Sequence, residues 1–248
     1  ATTTTTATTA SASDGVARSE KIVVYNPGTR RARVDVGLVP GGDAAGGPAP
    51  LPFRLSVGAG SYEVVDYGGQ ARVAAGQPYT TVVRSTNGVG VVAERVTTDA
   101  APPRQTGGAH PGEVTAGPGA RLAARSWLLP TVGTDDSGPV TAVVFNPDPD
   151  RTLAVRLLRP GGGGALATAE VAPGARATLV LPEEATGGTD PPAALRVTAD
   201  GPVVVDCLLA TADGRRQSLS PALPALTGAR PLDALAAAGD LAGATPPG

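Results

Sequence analysis

Histidine and cysteine, two residue types suited to nucleophilic or metal chemistry, each occur once in this chain, as His110 and Cys207. A zinc site needs several imidazole or thiolate ligands, so one histidine and one cysteine are too few. His110 lies in the stretch GGAHPGEV, and no Gly-x-Ser-x-Gly segment is present to supply a serine nucleophile. Cys207 lies in the apolar run PVVVDCLLA, where a buried, unreactive thiol is expected. We therefore expect neither residue to be catalytic.

Paired carboxylates are the next candidates for acid–base or metal chemistry. Asp135 and Asp136 occur in TDDSG, and Asp148 and Asp150 in PDPD. Neither pair has the spacing of an EF-hand loop, and aspartate is common in turns, so we expect turn roles. Glu183 and Glu184 are adjacent. In an extended chain their side chains point in different directions, so they make a poor acid–base pair. The sequence therefore predicts no catalytic residue, no metal site and no cofactor.

Aromatic residues make up 3% of the chain, and they are the candidates for a binding surface. Tyr62, Tyr67 and Tyr79 cluster in the first half, where they could form part of a sugar-binding surface. The alternative is that they pack at the wet edge of a core, which tyrosine also favours.

Composition limits the classes of fold and partner. The 34 glycines and 25 prolines divide the chain into short segments, which favours many short strands over long helices. The net charge is −2, and the only basic cluster, Arg30, Arg31 and Arg33, falls at a predicted turn. We therefore expect no nucleic-acid partner. No window approaches the roughly 18 apolar residues of a membrane span.

The chain repeats itself. VVYNPGTRRARVDVGLVP begins at Val23, and VVFNPDPDRTLAVRLLRP begins 120 positions later at Val143. Further segments recur in the same order, which indicates a tandem duplication. In this alignment Glu94 falls within one position of Asp206, either as a functional carboxylate present twice or as an outward strand residue that pairs with arginine.

The repeated Asn-Pro is predicted to end a strand and open a hairpin. Proline lacks a donor for the sheet, and the asparagine side chain can hydrogen-bond the backbone ahead of it. The returning strand is apolar at Val34 and Val36 in one copy but at Leu153 and Val155 in the other. This one-residue change of phase would reverse the faces unless a bulge or a different loop length absorbs it.

These patterns predict an all-β protein of two tandem antiparallel β-sandwich domains, immunoglobulin-like in the broad sense. The expected division is a low-complexity tract at 1–16, a first repeat at 17–102, a linker at 103–120 and a second repeat at 121–226. An Ala- and Gly-rich tail at 227–248 contains one helix candidate, residues 231–243. The N-terminal tract is typical of a linker that follows a removed signal peptide or a membrane anchor.

The segments RSWLLPTVGTDDSGPVTAVVFNPDPD, VAPGARATLVL and GPVVVDCLL resemble domain-of-unknown-function family 5719, which comprises secreted or membrane-anchored actinobacterial proteins. The resemblance extends from about Ala17 to Leu226. The first copy departs from the pattern, because no clear tryptophan strand precedes Lys21. The resemblance implies export but no activity, so no catalytic residue is carried over.

The expected function is a non-catalytic, exported scaffold or binding protein of the cell envelope, with an envelope protein or glycan as partner. The alternatives are a carbohydrate-binding module, marked by exposed tyrosines, and a hydrolase, which would need paired carboxylates in a cleft.

Trp127 begins the apolar run WLLP, where the first strand of the second repeat should pack, so it is predicted to be a core residue. We expect Trp127→Ala to lower the free energy of unfolding by about 3–5 kcal/mol, because a large buried ring would be lost. Denaturant unfolding measures this value, and a variant as stable as the parent would contradict the assignment.

Overall fold

Strands are the only regular elements that the structure, a computed structural model, contains in the part of the chain it describes. That part comprises residues 2–7, 18–41, 49–68, 70, 72, 78–99, 113–130, 137–159, 164–181, 194–211 and 217–225. The strands are joined antiparallel, as the density of turn residues and the short apolar runs predicted. The prediction of an all-β, antiparallel fold is therefore confirmed. Within these residues, no helix is long and apolar enough to cross a membrane.

The described residues contain sixteen strands, which form two sets of eight. The first copy contains β1 (Thr2–Ala7), β2 (Arg18–Tyr25), β3 (Ala32–Pro40), β4 (Phe53–Val57), β5 (Tyr62–Asp66), β6 (Tyr79–Ser85), β7 (Val92–Asp99) and β8 (Glu113–Pro118). The second copy contains β9 (Ala124–Pro130), β10 (Ser137–Phe145), β11 (Leu153–Leu158), β12 (Ala167–Val171), β13 (Arg176–Val180), β14 (Ala194–Thr211), β15 (Gln217–Pro221) and β16 (Leu223–Pro224).

The strand order of the first copy recurs in the second. The first copy has two sheets, ordered β1-β6-β3-β4 and β5-β2-β7-β8. In the second copy, β9, β14, β11 and β12 pair in the first of these orders, and β13, β10, β14 and β15 pair in the other. The register agrees as well, since Tyr25 lies opposite Tyr62 and Phe145 opposite Arg176. The repetition seen in the sequence is therefore a repetition of strand pairing.

One difference between the copies is the continuous strand β14. Its first part pairs with β11 and its second part with β10, whereas in the first copy the same path is divided between β6 and β7 by residues 86–91. Gly201 lies where β14 passes from one sheet to the other. A Cβ added there would lie 2.6 Å from Cδ2 of the buried Leu153, so the crossing leaves no room for a side chain.

Alternating side chains from both sheets of each copy fill a separate apolar core. The first core includes Ile22, Val34 and Val83, and the second includes Trp127 and Leu195. Trp127 is buried as predicted, and its indole Nε1 donates to the carbonyl oxygens of Val203 at 2.9 Å and Ala124 at 3.1 Å. The ring therefore fills the core while its one polar group is satisfied.

Each Asn-Pro asparagine is fully buried and holds two hairpins together. The Nδ2 group of Asn26 donates to the carbonyl oxygens of Arg30, Val57 and Gly58 at 2.8–3.1 Å. Its Oδ1 accepts from the amide of Gly28, which closes the turn ahead as predicted.

Asn146 repeats this arrangement in the second copy. Its Nδ2 donates to Arg151, Val171 and Ala172, and its Oδ1 accepts from Asp148. The repeated Asn-Pro phrase is therefore architectural.

The change of phase after Asn-Pro is absorbed by loop length. Asn26 bonds to the carbonyl four residues ahead, whereas Asn146 bonds to the carbonyl five residues ahead. The extra residue makes Val155 equivalent to Val34, and both side chains remain in their cores.

Two stretches outside the expected repeats contribute strands. Residues 2–7 of the low-complexity tract, which was expected to be a linker, form the edge strand β1. This strand occupies the place that β9 and Trp127 have in the second copy, and it contains no tryptophan. Within the expected linker at 103–120, β8 pairs with β7. Several sequence candidates lie outside the described residues: His110, Asp135, Asp136, Glu183, Glu184 and the tail at 227–248.

We expect Asn26→Ala to lower the free energy of unfolding by about 2–4 kcal/mol, because it leaves buried carbonyl oxygens without a donor. Asn87→Ala is the control. Asn87 also bonds backbone groups, those of Arg31 and Arg33, but at an exposed site where water can replace it. Its loss should cost less than about 1 kcal/mol. Far-UV circular dichroism in denaturant compares the two, and equal losses would contradict the buried role of Asn26.

Candidate functional site

The three candidate tyrosines do not lie together on one surface. Tyr67 and Tyr79 are buried in the first core with ring centroids 5.6 Å apart. The Tyr67 hydroxyl lies 3.1 Å from Thr81 Oγ1, and burial raises the pKa of this phenol. Tyr62 is 65% exposed, at the start of edge strand β5. Of the three, only Tyr62 is available to a ligand, because the other two rings are enclosed.

Tyr62 belongs to an exposed apolar surface on the outer side of the β5-β2-β7-β8 sheet. Tyr25 lies opposite Tyr62 on one side and opposite Val92 on the other, and these three side chains are 42–65% exposed. Two residues along the same strands, Val64 lies opposite Val23, and both side chains point to the same outer side. Val114 of β8 is also exposed on this side, which we call the first-copy face. Clustered apolar exposure of this kind marks interaction sites more often than scattered residues do.

Part of the equivalent surface in the second copy is buried, whereas Val180 on its edge strand β13 is 51% exposed. Strand pairing makes Phe145, Val143 and Val204 the counterparts of Tyr25, Val23 and Val92. These three side chains point away from the second core, because the residues before and after them along the same strands belong to that core. Even so, these side chains are at most 5% exposed. We call this the second-copy face.

Gly41 of the first copy touches the second-copy face. A Cβ added to Gly41 would lie 2.8 Å from Cδ of Arg176, the residue at the position of Tyr62. Arg176 is buried there, and burial lowers the pKa of its guanidinium to about 10. The guanidinium therefore stays charged at neutral pH while it is enclosed between the two copies.

The carboxylates Glu94 and Asp206 occupy equivalent positions. Glu94 lies opposite Val23, and Asp206 lies opposite Val143. Glu94 is exposed on the first-copy face, which is compatible with both predicted roles. On the same face, Lys21 Nζ and Asp66 Oδ2 are 3.7 Å apart, and both side chains are about half exposed. An exposed ion pair of this kind contributes little stability, so a partner that binds the face could displace it at little cost.

Other sequence candidates have structural roles. Asp148 Oδ1 accepts from the amides of Asp150 and Arg151, and these bonds lower the pKa of the carboxyl group. Cys207 is fully buried, and burial raises the pKa of its thiol to about 12. At neutral pH the thiol is protonated and enclosed, so it is a poor nucleophile. Among the described residues, no group of three His, Cys, Asp or Glu side chains could hold a metal ion.

A buried ion pair between the sheets of the first copy escaped the sequence analysis. Arg95 Nε donates to Glu20 Oε1 at 2.8 Å, and both side chains are nearly enclosed beside Tyr67. At the equivalent places the second copy has Cys207, Val140 and Leu181. A residue-by-residue alignment of the two copies would place these charged residues opposite apolar ones and so indicate the ion pair. The apolar pattern of either copy alone does not indicate it.

A groove of about 700 Å³ lies between edge strands β4 and β5 of the first copy. Arg72 stacks over the Phe53 ring at 4.3 Å and donates to the carbonyl oxygen of Leu51 at 3.1 Å. Val64 and Asp66 line the groove and also belong to the sheet of the first-copy face. The groove therefore borders the exposed apolar surface.

Comparisons of the chain with protein-family models, curated proteins and solved structures found no match.

Proposed function

We propose that this chain is a non-catalytic, exported scaffold of the cell envelope, built as two tandem immunoglobulin-like β-sandwiches, and that it binds a partner through the first-copy face. The sandwich assignment is supported by the two groups of four strands in each copy, connected in the second copy through β14, which contribute side chains to one apolar core. Its relation to domain-of-unknown-function family 5719, and with it the export, rests on the resemblance described above.

One observation carries the binding role: three side chains that are buried on the second-copy face have counterparts on the first-copy face that are more exposed. Phe145 is 5% exposed, whereas its counterpart Tyr25 is 42% exposed, and Val204 and Val92 are 2% and 51% exposed. Soluble proteins seldom leave large contiguous apolar areas in water, because burying such area is favourable by about 25 cal/mol per Å². A partner that covers the first-copy face would gain this free energy.

The non-catalytic assignment is supported by the structural roles of three polar groups within the described residues. Asp148 caps a turn, Cys207 fills a core, and Asn146 ties two hairpins together. Each side chain is thereby committed to the fold.

We expect a photo-crosslinking residue at Val92 to give a defined adduct in the cells that produce the protein, because this position lies within the first-copy face. The control carries the same residue at Arg84, an exposed strand position on the other sheet of the same copy. Gel electrophoresis and mass spectrometry detect the adducts. Equal labelling from both positions, or no adduct from Val92, would contradict the proposal.

A carbohydrate-binding module is the second candidate, favoured by the two exposed rings of Tyr25 and Tyr62 on neighbouring strands. Tyrosine presents an apolar face and a polar hydroxyl, which suits a sugar ring. In this case we expect polysaccharide extracted from the cell wall to retard the protein in affinity electrophoresis. Tyr62→Ser should abolish the retardation and Tyr67→Phe, a buried change, should not. Unretarded wild-type protein would exclude this candidate.

A further inference from the structure

Within the chain, one end of the β1-β6-β3-β4 sheet lies against the second-copy face at Arg176. Gly41, which follows β3, is buried and touches Arg176. Thr80 lies opposite Val39 on the outer side of this sheet and is also fully buried. Farther along the same side, Val82 is half-buried and Arg84 is exposed. Burial thus increases toward Gly41, as expected where another surface covers that end, and β1 also lies against β14.

The second copy has a corresponding outer surface, and it is exposed. Leu158, Arg196, Leu128 and Leu223 lie side by side across β11, β14, β9 and β16. Leu158 and Arg196 are the counterparts of Gly37 and Val82 in the first copy. Leu128 is 39% exposed and Leu223 is 60% exposed. We call this row the second-copy back.

The exposed apolar residues are therefore concentrated on two surfaces. Of the ten large apolar side chains that are exposed in the described part of the chain, five lie on the first-copy face and two on the second-copy back. The first-copy face is equivalent to the second-copy face, and the second-copy back is equivalent to the half-buried stretch at Gly37 and Val82, which adjoins the end of the sheet that touches Arg176. The net charges of the two surfaces also differ in sign, since Lys21, Asp66 and Glu94 lie on the face while Arg156, Arg196 and Glu170 are exposed on the back.

We propose that this chain associates head to tail with further copies of itself, the second-copy back of one molecule covering the first-copy face of the next. This inference rests on the proposed function and names its partner. The contact would repeat between molecules the contact that joins the two copies within one molecule. Because the two surfaces differ, the interface is heterologous, and such an interface extends into an open chain unless the rotation between molecules closes a ring.

Sedimentation velocity of the full chain across a dilution series tests this inference. We expect the average sedimentation coefficient of the wild type to rise with concentration. Val92→Arg on the face and Leu223→Arg on the back should each remove the rise, because a charge would enter an apolar contact. Leu51→Arg is the control, since Leu51 is 81% exposed and lies on neither surface. Circular dichroism establishes that the variants are folded.

Mixing the two variants separates head-to-tail association from other modes. Val92→Arg retains an intact back, and Leu223→Arg retains an intact face, so an equimolar mixture should form a one-to-one pair that grows no further. A wild type that stays monomeric at every concentration would overturn the inference. So would a mixture that does not pair, or a Leu223→Arg variant that still dimerises, which would indicate face-to-face contact. If the wild type is monomeric but Val92 still crosslinks to another molecule, the inference fails while the proposed function stands.

Discussion

A buried side-chain amide has no water to bond, and this constraint organises both copies. The amide nitrogen of Asn26 has two hydrogens and three carbonyl acceptors within 3.1 Å, so one hydrogen is shared. One acceptor belongs to the hairpin that follows the asparagine, and the other two lie at the end of β4. A single side chain thereby ties the strand of one sheet to the edge of the other. Asn146 does the same for β10 and β12. Because unpaired buried carbonyls are costly, this contact stabilises the junction between the two sheets of each copy.

Both copies have this contact, although they differ elsewhere. The loop after Asn146 is one residue longer than the loop after Asn26, and the cores stay aligned because the amide of Asn146 bonds one carbonyl farther along the chain. Between the sheets, the first copy has the ion pair of Glu20 and Arg95, where the second has only apolar side chains and Cys207. Replacing a buried pair by apolar residues is often neutral for stability, so both interiors are compatible with one fold.

The outer surfaces diverged according to what covers them. Tyr62 of the first copy corresponds to Arg176 of the second, whose guanidinium lies against Gly41. A Cβ at position 41 would overlap the arginine side chain, which would have to move to admit it. One copy thus has a buried cation at the junction, and the other has an exposed aromatic ring.

The sequence by itself determined the all-β class, the tandem repeat, the hairpin at Asn-Pro and the burial of Trp127 and Cys207. These follow from local pattern: strand-length apolar runs, turn residues between them, and a proline that cannot donate to a sheet. Only the tertiary structure decided that β1 arises from a threonine tract, since pairing with β6 places a strand where composition indicates a linker. It also separated Tyr62 from Tyr67 and Tyr79, and it buried Phe145 while exposing Tyr25. An outward strand residue has the same local pattern whether water or another surface lies against it. Its exposure is set by contacts between residues far apart in the chain, such as Gly41 and Arg176, which local pattern does not encode.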